Sequence, residues 1–213
     1  MSHYFTTPEG EEKRREVRAT IWGREHVLVT ANGVFSGSRL DPATRIMLDE
    51  LPPPEDGARL LDLGCGYGPI AVALAAECPT STVDAVDVNE RALALTAENA
   101  RRAGADDRVR TLLPQQADPE VRYDEIWSNP PIRIGKAALH ELLLTWLPRL
   151  APQGRAVMVV GKNLGADSLQ RWLGEQGWEC TRLASHKGFR VLEVRRPVAT
   201  GAAPTVQRPA GLQ

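Results

Sequence analysis

The chain has 213 residues, enough for one domain with a substantial core and too few for two of ordinary size. Lysine and arginine total 26 against 27 acidic residues, so no global field draws the protein onto nucleic acid and any such partner must meet a local patch. Cys65, Cys78 and Cys180 form an odd, scattered set without partners at metal-ligand spacing, which fits a cytoplasmic, reducing setting and no bound metal; the polar start and the lack of a run near ~18 apolar residues argue against a secretory leader and a membrane span.

In chain order, residues 1–10 read as loosely structured. Residues 15–21 and 25–30 alternate polar and apolar side chains across Trp22-Gly23-Arg24, a hairpin signal. Asn32-Gly33-Val34-Phe35-Ser36 is a turn carrying an exposed aromatic. Residues 40–51 read as a helix capped by Asp41, with Pro42 at its first position and prolines 52–54 ending it. From residue 58, apolar strands alternate with amphipathic helices: strands at 59–63, 82–87, 109–113, 125–128 and 154–161, with helices at 69–77, 90–103, 136–150 and 166–176. The helix at 136–150 carries Leu139, Leu142, Leu143, Trp146, Leu147 and Leu150 on one stripe. Residues 178–185 and 189–195 are two strands whose link, Lys187-Gly188, is so short that they must be antiparallel.

This order predicts an α/β fold: a mostly parallel, seven-stranded sheet with helices on both faces, a C-terminal antiparallel hairpin and a separate N-terminal β-hairpin. The expected division is residues 1–57 as hairpin and helix packed on the core, 58–196 as the ligand-binding core, and 197–213, rich in Ala, Gly and Pro, as a disordered tail.

The core is organised around Leu60-Leu61-Asp62-Leu63-Gly64-Cys65-Gly66-Tyr67-Gly68-Pro69-Ile70, which reads as strand, tight loop and helix. Alternate glycines allow positive φ and leave no side chain between the main chain and a ligand, and Pro69 suits the first helical turn. A dinucleotide-binding loop has its third glycine one position later. The Gly-x-Gly-x-Gly spacing, with Asp62 two places before it, resembles the first motif of the class I S-adenosylmethionine-dependent methyltransferases, which have a Rossmann-like fold. The resemblance implies that Asp62, Gly64, Gly66 and Gly68 hold S-adenosyl-L-methionine. Asp87, 19 residues after Gly68 at a strand end, is placed to hold ribose hydroxyls or to cap the next helix, for which Asn89 is the better cap. The family's acid beside the adenine is displaced here: Pro114-Gln115-Gln116-Ala117-Asp118 offers only Asp118 or a glutamine.

Ser128-Asn129-Pro130-Pro131-Ile132 ends the fourth parallel strand, where ligand-facing loops belong. Consecutive prolines exclude the helical region for the residues before them, so the Asn129 amide oxygen and a main-chain carbonyl can point rigidly at one spot. Both are acceptors and suit an exocyclic amino group, whose lone pair they direct at a methyl donor without a strong base. An aspartate at 129 would keep an acceptor there.

Asn-Pro-Pro resembles the methyltransferases of exocyclic nitrogens in adenine, guanine and protein glutamine. Together with Gly33-Val34-Phe35-Ser36, Leu40-Asp41, Ile132-Arg133-Ile134-Gly135-Lys136 and Gly188-Phe189-Arg190, it is similar to the catalytic domain of the small-subunit ribosomal RNA guanine-N2 methyltransferases, in a short single-domain form, over about residues 3–195. Ile132 stands where adenine and glutamine enzymes carry an aromatic, and Asp41-Pro42-Ala43-Thr44 replaces the branch's Asp-x-Gly-Thr. The resemblance implies catalysis at Asn129, Pro130, Pro131 and Ile132, with Asn129 also bordering the cofactor. The expected partner is ribosomal RNA or the small subunit, bound by Phe35, Arg133, Lys136 and Arg190. Alternatives are a protein glutamine or small-molecule amine substrate, or a non-catalytic cofactor-binding partner subunit. Phe35 reads either as a stacking surface for an extruded base or as a lid. Arg182, Lys187, Arg190, Arg195 and Arg196 against Glu193 read either as a phosphate-binding patch or as a solvated charged face.

Overall fold

The computed structural model describes residues 12–35, 39–131 and 134–197; the expectations for residues 1–10 and for the tail from 198 onward lie outside the described residues. Strands β1 (Arg14–Ile21) and β2 (Arg24–Ala31) form the expected antiparallel hairpin. Its two-residue turn places Trp22 at φ 47° and Gly23 at φ 82°, the left-handed pair that matches strand twist. The strained Trp22 is held by its indole N–H, which donates to the Leu51 carbonyl at 2.8 Å, and by edge-on packing 6.0 Å from Trp127.

The main sheet contains β3 (Arg59–Leu63), β4 (Thr82–Val86), β5 (Val109–Leu112), β6 (Tyr123–Ser128), β7 (Leu150–Gly161), β8 (Glu179–His186) and β9 (Phe189–Arg195), in the order β5-β4-β3-β6-β7-β9-β8. The first five pair in parallel, and β9 runs antiparallel to both β7 and β8. Period-2 alternation sends Leu60, Trp127 and Val157 to one face and Leu61, Ile126 and Ala156 to the other. The first face is covered by α1 (Pro42–Glu50), α2 (Pro69–Glu77) and α3 (Glu90–Arg102), the second by α4 (Lys136–Trp146) and α5 (Ala166–Glu175). A third apolar cluster, including Leu28, Val29, Val34, Tyr67 and Leu95, seats the N-terminal hairpin against the glycine loop and α3.

Several boundaries differ from the sequence pattern. Helix α4 stops at Trp146 instead of 150, because Pro148 cannot donate to the helix and the chain tightens into a 3-10 turn at Leu147–Arg149. Strands β6 and β7 begin earlier, at Tyr123 and Leu150, with a register shift between Tyr123 and Glu125. Gly154 lies opposite that irregularity, where a Cβ would meet the Tyr123 carbonyl at 2.8 Å and the Asp124 carbonyl at 2.9 Å; β7 runs from Leu150 to Arg155 while β6 advances only from Tyr123 to Glu125, a mismatch invisible to alternation.

Candidate active site

At the carboxyl ends of the parallel strands lies a cavity of about 390 Å³, bordered by Gly64, Gly66, Asp87, Asn129, Pro130 and Pro131. These are the strand-end positions of β3, β4 and β6, where open parallel sheets bind ligands. The glycine loop is anchored from below: the amides of Gly64 and Cys65 donate to the Val86 carbonyl at 2.8 and 3.0 Å. Thr96 on α3 donates to the Gly66 carbonyl at 2.9 Å. Gly68, at φ 86°, is not on the cavity wall. A Cβ there would stand 2.8 Å from the Thr96 side chain, so this glycine serves loop-to-helix packing.

Asn89 caps α3, accepting from the amides of Arg91 and Ala92, as its position in the sequence implied. Asp87 is nonetheless engaged: Oδ2 accepts from the Gly66 amide and Oδ1 from the Asn89 amide, both at 2.9 Å. Burial pushes its pKa upward against those backbone donors. A carboxylate has about four lone-pair positions, so Asp87, which borders the cavity, keeps acceptor capacity beyond these bonds.

Asp62 does not border the cavity. It is fully buried beneath the loop, where Oδ2 accepts from the Ala71 amide of α2 at 2.9 Å and Oδ1 has no partner. Burial, reinforced by the charge of Asp87, pushes its pKa from 3.8 up to about 8. An acid whose folded pKa is raised stabilises the fold fully below its unfolded value and loses that contribution as pH rises to the folded pKa. From about pH 4 to about pH 8 the stability of the parent is therefore expected to fall relative to Asp62→Asn, by up to about 1.4 kcal/mol per pH unit. Urea titrations of both proteins at several pH values check this, and parallel pH profiles would remove the buried neutral carboxyl.

Ser128 donates to the Leu63 carbonyl at 2.7 Å and so ties the end of β6 to the end of β3, immediately before Asn129. The Asn129 Nδ2 donates to Asp41 Oδ1 at 2.8 Å and to Thr44 Oγ1 at 3.0 Å. Asp41, given by the sequence the role of a helix cap and counted among the motifs of the resemblance, is that cap and a cavity residue as well. The sequence signal was there in the Asp-x-x-Thr spacing, but its partner is 88 residues away. Pro130 and Pro131 border the cavity, whereas Ile132 and Arg133 lie outside the described residues.

Phe35, Val88 and Leu164, each about half exposed, add apolar surface to the cavity border. Pro114 borders it too, but Gln116 and Asp118 are turned to their own segment, accepting from the amides of Leu113 and Glu120. Lys136 is exposed at the start of α4 and is not part of the cavity wall. The basic cluster is largely internally paired. Arg190 Nη2 donates to Asp167 at 2.9 Å, Arg195 to Glu193, and Arg196 to the Pro148 and Leu150 carbonyls. Among the described residues no group of three or more His, Cys, Asp or Glu is placed to hold a metal ion, and no helix is long and apolar enough to cross a membrane.

A glycine loop over β3, an acid ending β4 and Asn-Pro-Pro ending β6 place this fold among the Rossmann-like methyltransferases. The chain belongs to the methyltransferase small domain family, whose model matches residues 25–193. It is 29% identical over 197 residues to the uncharacterized protein YbxB of Bacillus subtilis, covering 91% of this chain and 98% of that one. It is also 29% identical over 175 residues to ribosomal RNA small subunit methyltransferase C of Shewanella amazonensis, covering 80% of this chain but 50% of the relative, so the chain spans about half that protein's length. The Thermus thermophilus 16S rRNA N2 G1207 methyltransferase, solved with AdoMet and guanosine, superposes with a TM-score of 0.72 at 24% identity, covering 89% of this chain and 52% of that chain, which establishes the common fold.

The cofactor is S-adenosyl-L-methionine. The residues present fit it. Asp87 at the cavity border has acceptor capacity for vicinal hydroxyls, Val88, Ala92 and Pro114 offer apolar surface for a planar base, and Gly64 and Gly66 leave the main chain open to close approach.

Proposed function

We propose that this protein is an N-methyltransferase of an exocyclic amino group, namely the 2-amino group of a guanine in 16S ribosomal RNA, working in the cytoplasm. The observation that carries the reading is the Asn129 amide. Its NH2 is spent on Asp41 and Thr44, so its oxygen is left to accept from a donor in the cavity. When bound, S-adenosyl-L-methionine supplies an electrophilic sulfonium methyl group. The chain's own part is positioning: the Asn129 oxygen and a main-chain carbonyl of the Asn-Pro-Pro segment hold the two hydrogens of the amine, which aims its lone pair. Pro130 and Pro131 keep those acceptors from turning away. Phe35, half exposed at the cavity border, is assigned to stack on the extruded base.

The internal pairing of Arg190, Arg195 and Arg196 moves the proposed phosphate contacts toward Arg133 and Lys136 beside the catalytic loop. The names of the Shewanella and Thermus relatives support the RNA substrate. A second reading, methylation of a protein glutamine, is favoured by 33% identity over 147 residues to the release factor glutamine methyltransferase of Gloeobacter violaceus, across 58% of this chain. The deciding experiment is transfer from labelled cofactor to small ribosomal subunits and to total protein, both from cells lacking the enzyme. Label recovered as N2-methylguanosine is the expected result. Label in glutamine would replace the RNA reading with the second one, and a cofactor-binding enzyme that labels neither would overturn both.

A further inference from the structure

We propose that Asp41 and Thr44, the N-cap and third residue of α1, are positioning residues that lock the Asn129 amide with its NH2 toward the helix and its oxygen toward the cavity. Asp41 Oδ1 gathers three N–H donors: the amides of Ala43 at 2.9 Å and Thr44 at 3.1 Å, and Asn129 Nδ2 at 2.8 Å. Thr44 is buried and places its hydroxyl 3.0 Å from the same nitrogen. Turning the amide over would set its oxygen against the Asp41 carboxylate with no proton between them, an acceptor facing an acceptor. The carboxylate thus decides the orientation, which the electron-rich neighbour dictates whichever way the amide is drawn. Pro42 fixes φ at the first turn of α1 and Pro130 restricts the backbone of Asn129, so both sides of the contact are held independently of it. The hydroxyl alone cannot do this, since it can donate as readily as accept.

The functional consequence rests on the exocyclic-amine reading, while the orientation itself does not. Two variants separate the lock from helix capping. Asp41→Ser keeps a capping side chain but neither the charge nor the reach to Asn129, and Thr44→Val keeps the shape and loses the hydroxyl. The first readout needs no substrate. In 15N-labelled protein the side-chain NH2 signals of Asn129, identified by their absence in Asn129→Asp, are expected to exchange with solvent at least about tenfold faster in Asp41→Ser and in the double variant than in the parent. Unchanged exchange overturns the lock. The second readout is turnover: kcat is expected to fall about tenfold or more in the same variants, with cofactor affinity held, and Thr44→Ser is expected to restore what Thr44→Val loses. A freed amide with parental kcat overturns the positioning role. If the parent methylates no amine, the reaction reading fails by itself and the exchange result still decides the lock.

Discussion

Asn129→Ala is expected to bind S-adenosyl-L-methionine as the parent does and to lose about 10²–10³-fold in kcat, the scale seen when one preorganised hydrogen-bonding group is removed from a reacting centre. The fold is expected to survive, because Asp41 keeps its two backbone donors and α1 stays capped. Asn129→Asp is more informative than the sequence implied. An acceptor does remain facing the cavity, but the other carboxylate oxygen takes the place of an NH2 that stood 2.8 Å from Asp41. Two carboxylates at that distance cannot both be ionised, so the pair must share a proton or turn apart. Activity of the aspartate variant is therefore expected to be low at neutral pH and to rise as pH falls and the shared proton returns. Single-turnover rates across pH, with calorimetry for the cofactor, test both variants. A stable alanine variant with parental turnover would remove the amine-positioning mechanism.

The second large effect concerns stability. Asn99 on α3 is 1% exposed and satisfies three main-chain groups. Its oxygen accepts from the Val29 amide at 2.7 Å, and its NH2 donates to the Val29 and Tyr67 carbonyls, both at 2.8 Å. Val29 is opposite Glu16 in the hairpin, at a position whose backbone groups face away from β1, so the asparagine stands in for a neighbouring strand. Asn99→Leu has a suitable size but strands all three groups in an apolar setting. At about 1–3 kcal/mol for each unmet group, the expected loss is about 3–9 kcal/mol, a large share of the ~5–15 kcal/mol that typically holds a domain together. Urea denaturation measures it, and a loss below about 1 kcal/mol would show that water or a backbone shift replaces the side chain. The same residue couples the hairpin to the glycine loop, and Val34 and Phe35 beyond the hairpin border the cavity, so cofactor binding is expected to weaken as well.

Local spacing of side chains dictates the elements and their kind. Whether residues 136–146 make a helix or residues 156–160 a strand depends on the spacing of apolar side chains, and those periods are written locally. The glycine loop, the acid at 87 and the rigid Asn-Pro-Pro segment were legible for the same reason, since φ restrictions and strand-end positions belong to a few neighbouring residues. The partners follow from the assembled sheet and its loops. The order β5-β4-β3-β6-β7-β9-β8 seats β6 beside β3 and carries Asn129 to Asp41 and Thr44, more than 80 positions distant. It also brought Asn99 to Val29 and spent Arg190 on Asp167, contacts for which no local period exists. Gly154 and Pro148 moved element ends by the same logic: a bulge depends on the strand opposite it, and a proline acts on a helix whose length the apolar stripe alone overstates. Hydrogen bonds require a partner within about 3 Å, and which atoms come that close is settled by how distant loops meet over the sheet, not by the composition of either loop.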